Sequence, residues 1–256
     1  MTVMLSGAVR GASMKVKDKM NKIAAHLLEA SAEDMEVREG RVWVKGTDRS
    51  LSIADIGFKA YWFKFDLPAD TESGLEGSFT YDHPFTTPPS EDRKDLGVFY
   101  PIMGHAVHVP VVEVDINTGQ VKFLKYVAVH DVGTVVNPRS LQGQIRGGIA
   151  QGIGLALYEE VRYSPEGQNL TATMNDYLVP TIAEVPNIEI HHHETPSPFT
   201  AYGVKGGGEG GRMVAPPAVT SAVEDALKPF GIKIDEMPIT SEKIVRWVSQ
   251  VQAQSS

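Results

Sequence analysis

Apolar and polar positions along the chain follow two periods, which predict interleaved helices and strands. A helical period runs through residues 16–33, where the apolar side chains fall on one face. A two-residue alternation over residues 35–44, centred on Gly40, predicts a hairpin. Two further alternating runs, residues 107–115 and 121–129, are joined by a short turn and predict a second hairpin. Residues 188–192 predict a short strand.

Three later segments predict helices. The first covers residues 142–160. The second covers residues 218–227 and is expected to open at Pro216 and Pro217, because proline suits the first helical turn. The third covers residues 242–251, with Thr240 or Ser241 as its cap. Residues 84–93 predict a loop. Since helices and strands alternate without regular βαβ spacing, the predicted fold class is α+β.

Composition narrows the possible partners. The 256-residue chain can form one large domain or two small ones. Its net charge is −8 and no basic block reaches five residues, which argues against nucleic acid or an anionic membrane as the main partner. The chain has no cysteine, so it cannot itself hold a disulfide or an iron–sulfur cluster. No signal-like or membrane-spanning apolar run occurs, and a cytoplasmic location is expected.

A single glutamate lies within a run of glycines. The segment KGGGEGG places Glu209 after Gly206, Gly207 and Gly208 and before two further glycines. Glycine loses the most backbone freedom on folding, so such a loop is favoured where the backbone must approach another group closely. Two interpretations follow: a carboxylate directed at a bound group, or a flexible turn with an exposed glutamate. The loop sequence alone does not choose between them.

A second glycine-rich run, residues 143–154, carries two glutamines. Close packing of a helix against another backbone explains the glycines. It does not explain Gln151, whose amide is predicted to lie on an otherwise buried face.

Other motifs are weaker. Gly206, Gly208 and Gly211 satisfy G-x-G-x-x-G, but no strand precedes them as a dinucleotide site requires. Adjacent histidines at 191–193 point to alternate faces of a strand and cannot converge on one ion. His105 and His108 have no third ligand nearby, so no metal-binding residue is predicted. For His130–Asp131, a structural hydrogen bond is favoured over a role in a site.

Four segments, residues 130–138, 143–160, 175–190 and 194–211, together carry a family resemblance. In their order and spacing, they resemble the C-terminal part of the large, molybdopterin-binding subunit of the xanthine dehydrogenase and aerobic carbon monoxide dehydrogenase family. The resemblance covers nearly the whole chain. It implies that residues 1–256 are the C-terminal portion of a molybdopterin-binding domain. Helix and hairpins would occupy residues 1 to about 100, and the cofactor and active-site part would occupy residues 101–256.

The resemblance also assigns roles. Glu209 would be the active-site base beside the molybdenum, with a pKa raised by a dry, glycine-lined pocket. Gln151 would contact the cofactor, and Gly206, Gly207 and Gly208 would let the loop lie close to it. The cofactor would be a molybdenum–pterin dinucleotide, in the cytosine form, shared with another chain. A 2Fe–2S subunit, an FAD subunit and the remaining part of the molybdenum subunit would be the partners.

The residues that follow Glu209 bear on the substrate class. Glu209 is followed by two glycines, whereas in carbon monoxide oxidisers of the family the glutamate is followed by Ser–Pro. This difference favours an N-heterocycle or an aldehyde. The competing hypothesis is a non-catalytic module whose glycine loops bind a nucleotide or phosphate. A degenerate scaffold is disfavoured because Glu209 and Gln151 are both present.

Overall fold

The computed structural model describes residues 2–83, 85–92, 94–98 and 102–255. They form two compact units, residues 1–99 and residues 100–256. Each unit has its own buried apolar cluster. Both helices and sheets are present, so the predicted α+β class is confirmed. None of the helices in the described ranges is long and apolar enough to cross a membrane.

The first unit packs two helices on a small sheet. Its helices are α1 (Thr2–Leu27) and α2 (Ile53–Trp62), and its antiparallel strands are β1 (Met35–Arg38), β2 (Arg41–Val44) and β3 (Ser50–Ser52). The hairpin predicted around Gly40 is confirmed, since β1 and β2 pair antiparallel. The predicted loop at residues 84–93 has its end residues, Pro84 and Arg93, outside the described residues.

Helix α1 begins much earlier than predicted, at Thr2 rather than near residue 16, and it ends at Leu27. Gly7 and Gly11 weaken the helical signal in this stretch. In the structure a Cβ on Gly7 would collide with the ring of Tyr81, and one on Gly11 with the ring of Phe79. Packing of these two rings against the glycines therefore outweighs the low helix propensity.

The second unit is built on a mixed three-stranded sheet. Strand β4 (His105–Val114) pairs antiparallel with β5 (Val121–Asp131), which confirms the second hairpin. Strand β6 (Ile188–His192) pairs parallel with β5. The connection between these two parallel strands contains helix α3 (Pro138–Leu157). The ends of β5 and β6 consequently lie side by side at His130 and His192.

Three helices complete the unit: α3, α4 (Gly210–Leu227) and α5 (Ser241–Ser255). Asn137 caps α3 by accepting a hydrogen bond from the Ser140 amide. At α5 the hydroxyl of Thr240 accepts a hydrogen bond from the Lys243 amide, so the predicted cap is confirmed. The helices bury an apolar cluster against the sheet that includes Tyr126, Ala128, Ile145, Ile149, Ile153, Val219, Val223, Leu227, Ile244 and Val248.

Helix α4 corrects one prediction. It begins at Gly210, directly after Glu209, and Pro216 and Pro217 lie inside it rather than at its start. Close packing against α3 accounts for this. A Cβ on Gly148 would lie 2.9 Å from the Arg212 nitrogen, and one on Gly211 would lie 2.6 Å from the Ile145 oxygen. The glycines thus allow the two helix backbones to approach, as the sequence suggested.

Candidate active site

Glu209 immediately precedes the first turn of α4. Its backbone adopts φ −116° and ψ 0°, and its side chain does not cap the helix. The side chain is exposed, and the described residues make no hydrogen bond or ion pair to its carboxylate. The dry pocket expected around Glu209 is therefore not formed by the described part of this chain, because the loop lies at the surface. The carboxylate is free to meet a group that approaches from outside.

A glutamine on α3 holds the glutamate loop. The side-chain amide of Gln144 donates a hydrogen bond to the Gly208 carbonyl oxygen over 2.7 Å, immediately before Glu209. Gln144 is one of the two glutamines noted in the glycine-rich run, but the sequence did not predict its hydrogen-bond partner. A contact 64 residues away in sequence leaves no local signal.

Gln151 is exposed, which corrects the prediction of a largely buried surrounding. Gln144, Gly147 and Gln151 are all exposed and recur at helical spacing, so they form one outward face of α3. Seven residues separate the two glutamines, which places them about 10 Å apart along the helix axis. Gln151 thus lies on the same face of α3 as the glutamine that holds the glutamate loop.

The three glycines before Glu209 differ from one another. A Cβ on Gly206 or Gly208 would meet nothing within 4 Å, so another group can approach the backbone there. Gly207 instead packs on the strand end, since a Cβ at this position would lie 2.8 Å from Val132 and 3.3 Å from Leu141. Two of the three glycines therefore leave open space on the side where a side chain would project, and the middle one anchors the loop.

A largely buried ion pair fixes the start of the loop. The Lys205 ammonium donates hydrogen bonds to the Asp131 carboxylate over 2.7 Å and to the Thr195 hydroxyl over 2.6 Å. The side chains of Lys205 and Asp131 are only 13% and 11% exposed. The Thr195 hydroxyl and the Gly133 amide also donate to Asp131. We call Asp131, Thr195 and Lys205 the loop clip.

The clip perturbs the Asp131 carboxyl. Burial alone raises the pKa of Asp131. Hydrogen bonds from Lys205, Thr195 and the Gly133 amide lower the pKa by more, so that it lies well below its usual range. Asp131 is therefore ionised at neutral pH and holds Lys205 in place. The structural hydrogen bond favoured for His130–Asp131 is confirmed, although the Asp131 partners were not identified from sequence.

The histidines do not form a metal centre. Nowhere in the described ranges are three His, Asp or Glu side chains grouped so as to hold an ion. His191 is exposed and pairs with Glu189, whereas His192 lies on the opposite face of β6. His108 and His130 instead contact each other inside the unit, at 2.9 Å between their Nε2 atoms.

Comparison with known proteins identifies the family. Residues 1–186 match the molybdopterin cofactor-binding domain family. The chain belongs to this family. Over 245 residues it is 40% identical to the nicotine 6-hydroxylase large subunit of Paenarthrobacter nicotinovorans. The matched residues make up 95% of this chain and 28% of that subunit.

Solved structures agree with this assignment. Quinoline 2-oxidoreductase from Pseudomonas putida 86 is 39% identical, with a TM-score of 0.78 over 92% of this chain and 28% of that one. The Cu,Mo-CO dehydrogenase is 28% identical, with a TM-score of 0.83 over 98% of this chain and 29% of that one. The chain therefore spans less than a third of the length of these family members.

Proposed function

We propose that this chain supplies the C-terminal, base-carrying part of a molybdenum hydroxylase, in which Glu209 is the general base. The observation that carries the proposal is the Glu209 loop. The loop clip and Gln144 hold this loop, while the Glu209 carboxylate has no partner among the described residues. A general base needs an accessible carboxylate in a fixed position. A merely flexible turn would need neither the clip nor the glutamine.

The residues present fit a molybdenum–pterin cofactor. Glu209 and Gln151 expose polar groups without a partner in the described chain, and Gly206 and Gly208 leave open space on the side where a side chain would project. Gln151 would donate its amide to the cofactor, and the loop backbone would lie against it. We propose the cytosine dinucleotide form, held together with the remaining part of the molybdenum subunit. When bound, the cofactor supplies the two-electron acceptor for the reaction.

The proposed reaction replaces a C–H bond by C–OH. One carbon of the substrate loses its hydrogen and gains a hydroxyl group whose oxygen comes from water, with release of two electrons and two protons. Glu209 takes one of these protons on its carboxylate oxygen as the attacking hydroxyl forms its bond to carbon. We propose that the electrons pass to a 2Fe–2S subunit and an FAD subunit as partners in the cytoplasm. The residues of this chain include no cysteine to hold a cluster.

The substrate class we propose is an N-heterocycle. Relatives named for nicotine and quinoline are 40% and 39% identical to this chain, whereas the carbon monoxide dehydrogenase large chain of Hydrogenophaga pseudoflava is 34% identical. The carbon next to a ring nitrogen is electron-poor, which suits attack by a hydroxyl group. An aldehyde carbonyl carbon shares this property and is the second substrate class to assay.

Metal analysis of the assembled complex tests the proposal against a nucleotide- or phosphate-binding module. We expect about one molybdenum and one pterin for each copy of this chain, together with hydroxylation of an N-heterocycle. Full assembly without molybdenum, combined with tight binding of a free nucleotide, would replace the hydroxylase by the binding module.

Gln151→Ala is expected to reduce retention of the cofactor more than folding. Removing the amide leaves an acceptor on the cofactor unpaired, worth roughly 1–3 kcal/mol. Molybdenum per complex after dialysis, alongside the melting temperature, is the measurement. Gln142→Ala is the matched control, because Gln142 is also exposed but lies on the opposite side of α3. A lower melting temperature with unchanged molybdenum content would make Gln151 a packing residue.

A further inference from the structure

A buried histidine, His130, lies against the first residue of α4, and a second buried histidine, His108, contacts it. His108 on β4 and His130 on β5 are 8% and 2% exposed. Tyr126, fully buried on the same face of β5, is 3.0 Å from His108 Nδ1 through its hydroxyl. The two imidazoles join at 2.9 Å between their Nε2 atoms. We call Tyr126, His108 and His130 the buried triad, and nothing in the proposed proton transfer uses it.

Both imidazoles are neutral at physiological pH. Burial, with the neighbouring imidazole, lowers the pKa of His108 to about 4. Burial, together with His192, also lowers the pKa of His130. A neutral imidazole has one donor and one acceptor nitrogen, so a single N–H joins the two rings. Hydrogen bonding from Tyr126 through His108 therefore fixes the orientation of the His130 ring.

The His130 ring directly supports the start of α4. A Cβ on Gly210 would lie 3.2 Å from His130 Nδ1 and 3.3 Å from Cε1, closer than side-chain contacts normally come. Glycine at this position therefore lets the backbone lie on the ring without displacing it, whereas a Cβ would require a shift of a few tenths of an ångström. A neutral ring also suits the position, because a cation would be repelled by the positive end of the helix.

We propose that His130 is a positioning residue for Glu209, acting through Gly210. This inference rests on the proposed function. Glu209 is joined to Gly210 by one peptide bond, and among the described residues its side chain has no hydrogen-bond or ion-pair partner to fix it. The contact between Gly210 and the fixed ring therefore sets where α4 begins, and with it where the Glu209 carboxylate lies. Gln144 and the loop clip hold the residues that precede Glu209.

The test uses Gly210→Ala, His130→Ala and the double variant, each in the assembled enzyme. The methyl group that Gly210→Ala introduces must displace either the His130 ring or the helix start by a few tenths of an ångström. Because the ring is held by its hydrogen bonds, we expect the helix start to move and kcat to fall about tenfold or more, since small misplacements at an active site are costly. KM, molybdenum content and melting temperature should stay close to those of the wild type.

Two comparisons separate positioning from general damage. In the double variant the new methyl group occupies space left by the ring, so its kcat should exceed that of at least one single variant. Crystal structures should show the Glu209 carboxylate displaced in both single variants. Gly57→Ala is the matched control, because a Cβ on Gly57 makes only an ordinary contact of 3.8 Å with Leu75.

The outcomes are distinct. If Gly210→Ala keeps kcat within twofold of the wild type while Glu209→Gln is inactive, the positioning role is wrong and the proposed function stands. Multiplicative losses in the double variant also overturn the positioning role. If Glu209→Gln itself remains active, the proposed function fails. Should His130→Ala lower the yield of assembled enzyme, Gly210→Ala carries the test alone, since alanine suits a helix better than glycine.

Discussion

Replacement of Glu209 by glutamine is expected to abolish turnover while leaving cofactor and fold in place. Glutamine keeps the size of the side chain but cannot accept the proton, and loss of a positioned base costs roughly 10² to 10⁴ in rate. The exposed carboxylate makes no contact within the described chain whose loss would weaken folding. Steady-state assay with an artificial electron acceptor, normalised to molybdenum content, is the measurement.

Glu166→Gln is the matched control for this substitution. Glu166 is also exposed and also precedes a glycine, but it lies on a turn outside the candidate site. It should retain wild-type turnover. Activity above about a third of wild type in Glu209→Gln, at equal molybdenum content, would contradict the assignment of the base.

Lys205→Met is expected to loosen the glutamate loop. Breaking one side of a largely buried ion pair leaves the Asp131 charge without its partner, at a cost of about 3 kcal/mol. This cost corresponds to roughly a hundredfold faster hydrogen exchange of the amides that the clip protects. Exchange measured by mass spectrometry over residues 195–211 of the assembled enzyme tests the prediction, and turnover should fall with it.

Lys233→Met is the matched control for the clip. Lys233 pairs with Glu224 at 3.1 Å, but its side chain is 87% exposed, so the same substitution there should cost less than about 1 kcal/mol. Equal effects of the two substitutions on exchange would show that the clip does not hold the loop.

The clip also predicts a pH dependence. Since the pKa of Asp131 is lower in the folded protein, its contribution to stability is complete above its unfolded pKa of about 3.9. The contribution is lost as pH falls through the lower, folded value. The difference in loop protection between wild type and Asp131→Asn should therefore be full above about pH 5 and shrink at lower pH. A difference that grows on acidification would contradict this sign.

Local patterns in the sequence predicted several elements well. Both hairpins, strand β6 and the cap of α5 follow from alternation and turn residues, which depend on neighbours in the chain. Helix starts were less predictable. At Gly7, Gly11 and Gly210 the glycine that lowers helix propensity is the residue that lets a ring approach, and this contact is not visible in the sequence.

In the candidate site, too, some residues could be predicted from the sequence and others could not. Glu209 and Gln151 stand out by their glycine surroundings and by the family resemblance. The residues that hold the loop do not stand out: Gln144 bonds across 64 positions and Lys205 bonds across 74. The exposure of Gln151 was also not predicted. Apolar residues lie on several sides of this glycine-rich helix, so the helical period of the sequence does not identify its outward face.

Transfer of oxygen from water tests the central claim most directly. The assembled enzyme, with an N-heterocycle in water enriched in oxygen-18, should give a product labelled at the carbon beside the ring nitrogen. Glu209→Gln with the same molybdenum content should form this product at least a hundredfold more slowly in a single turnover. Equal rates in the two proteins, or a product oxygen that does not come from water, would contradict the account.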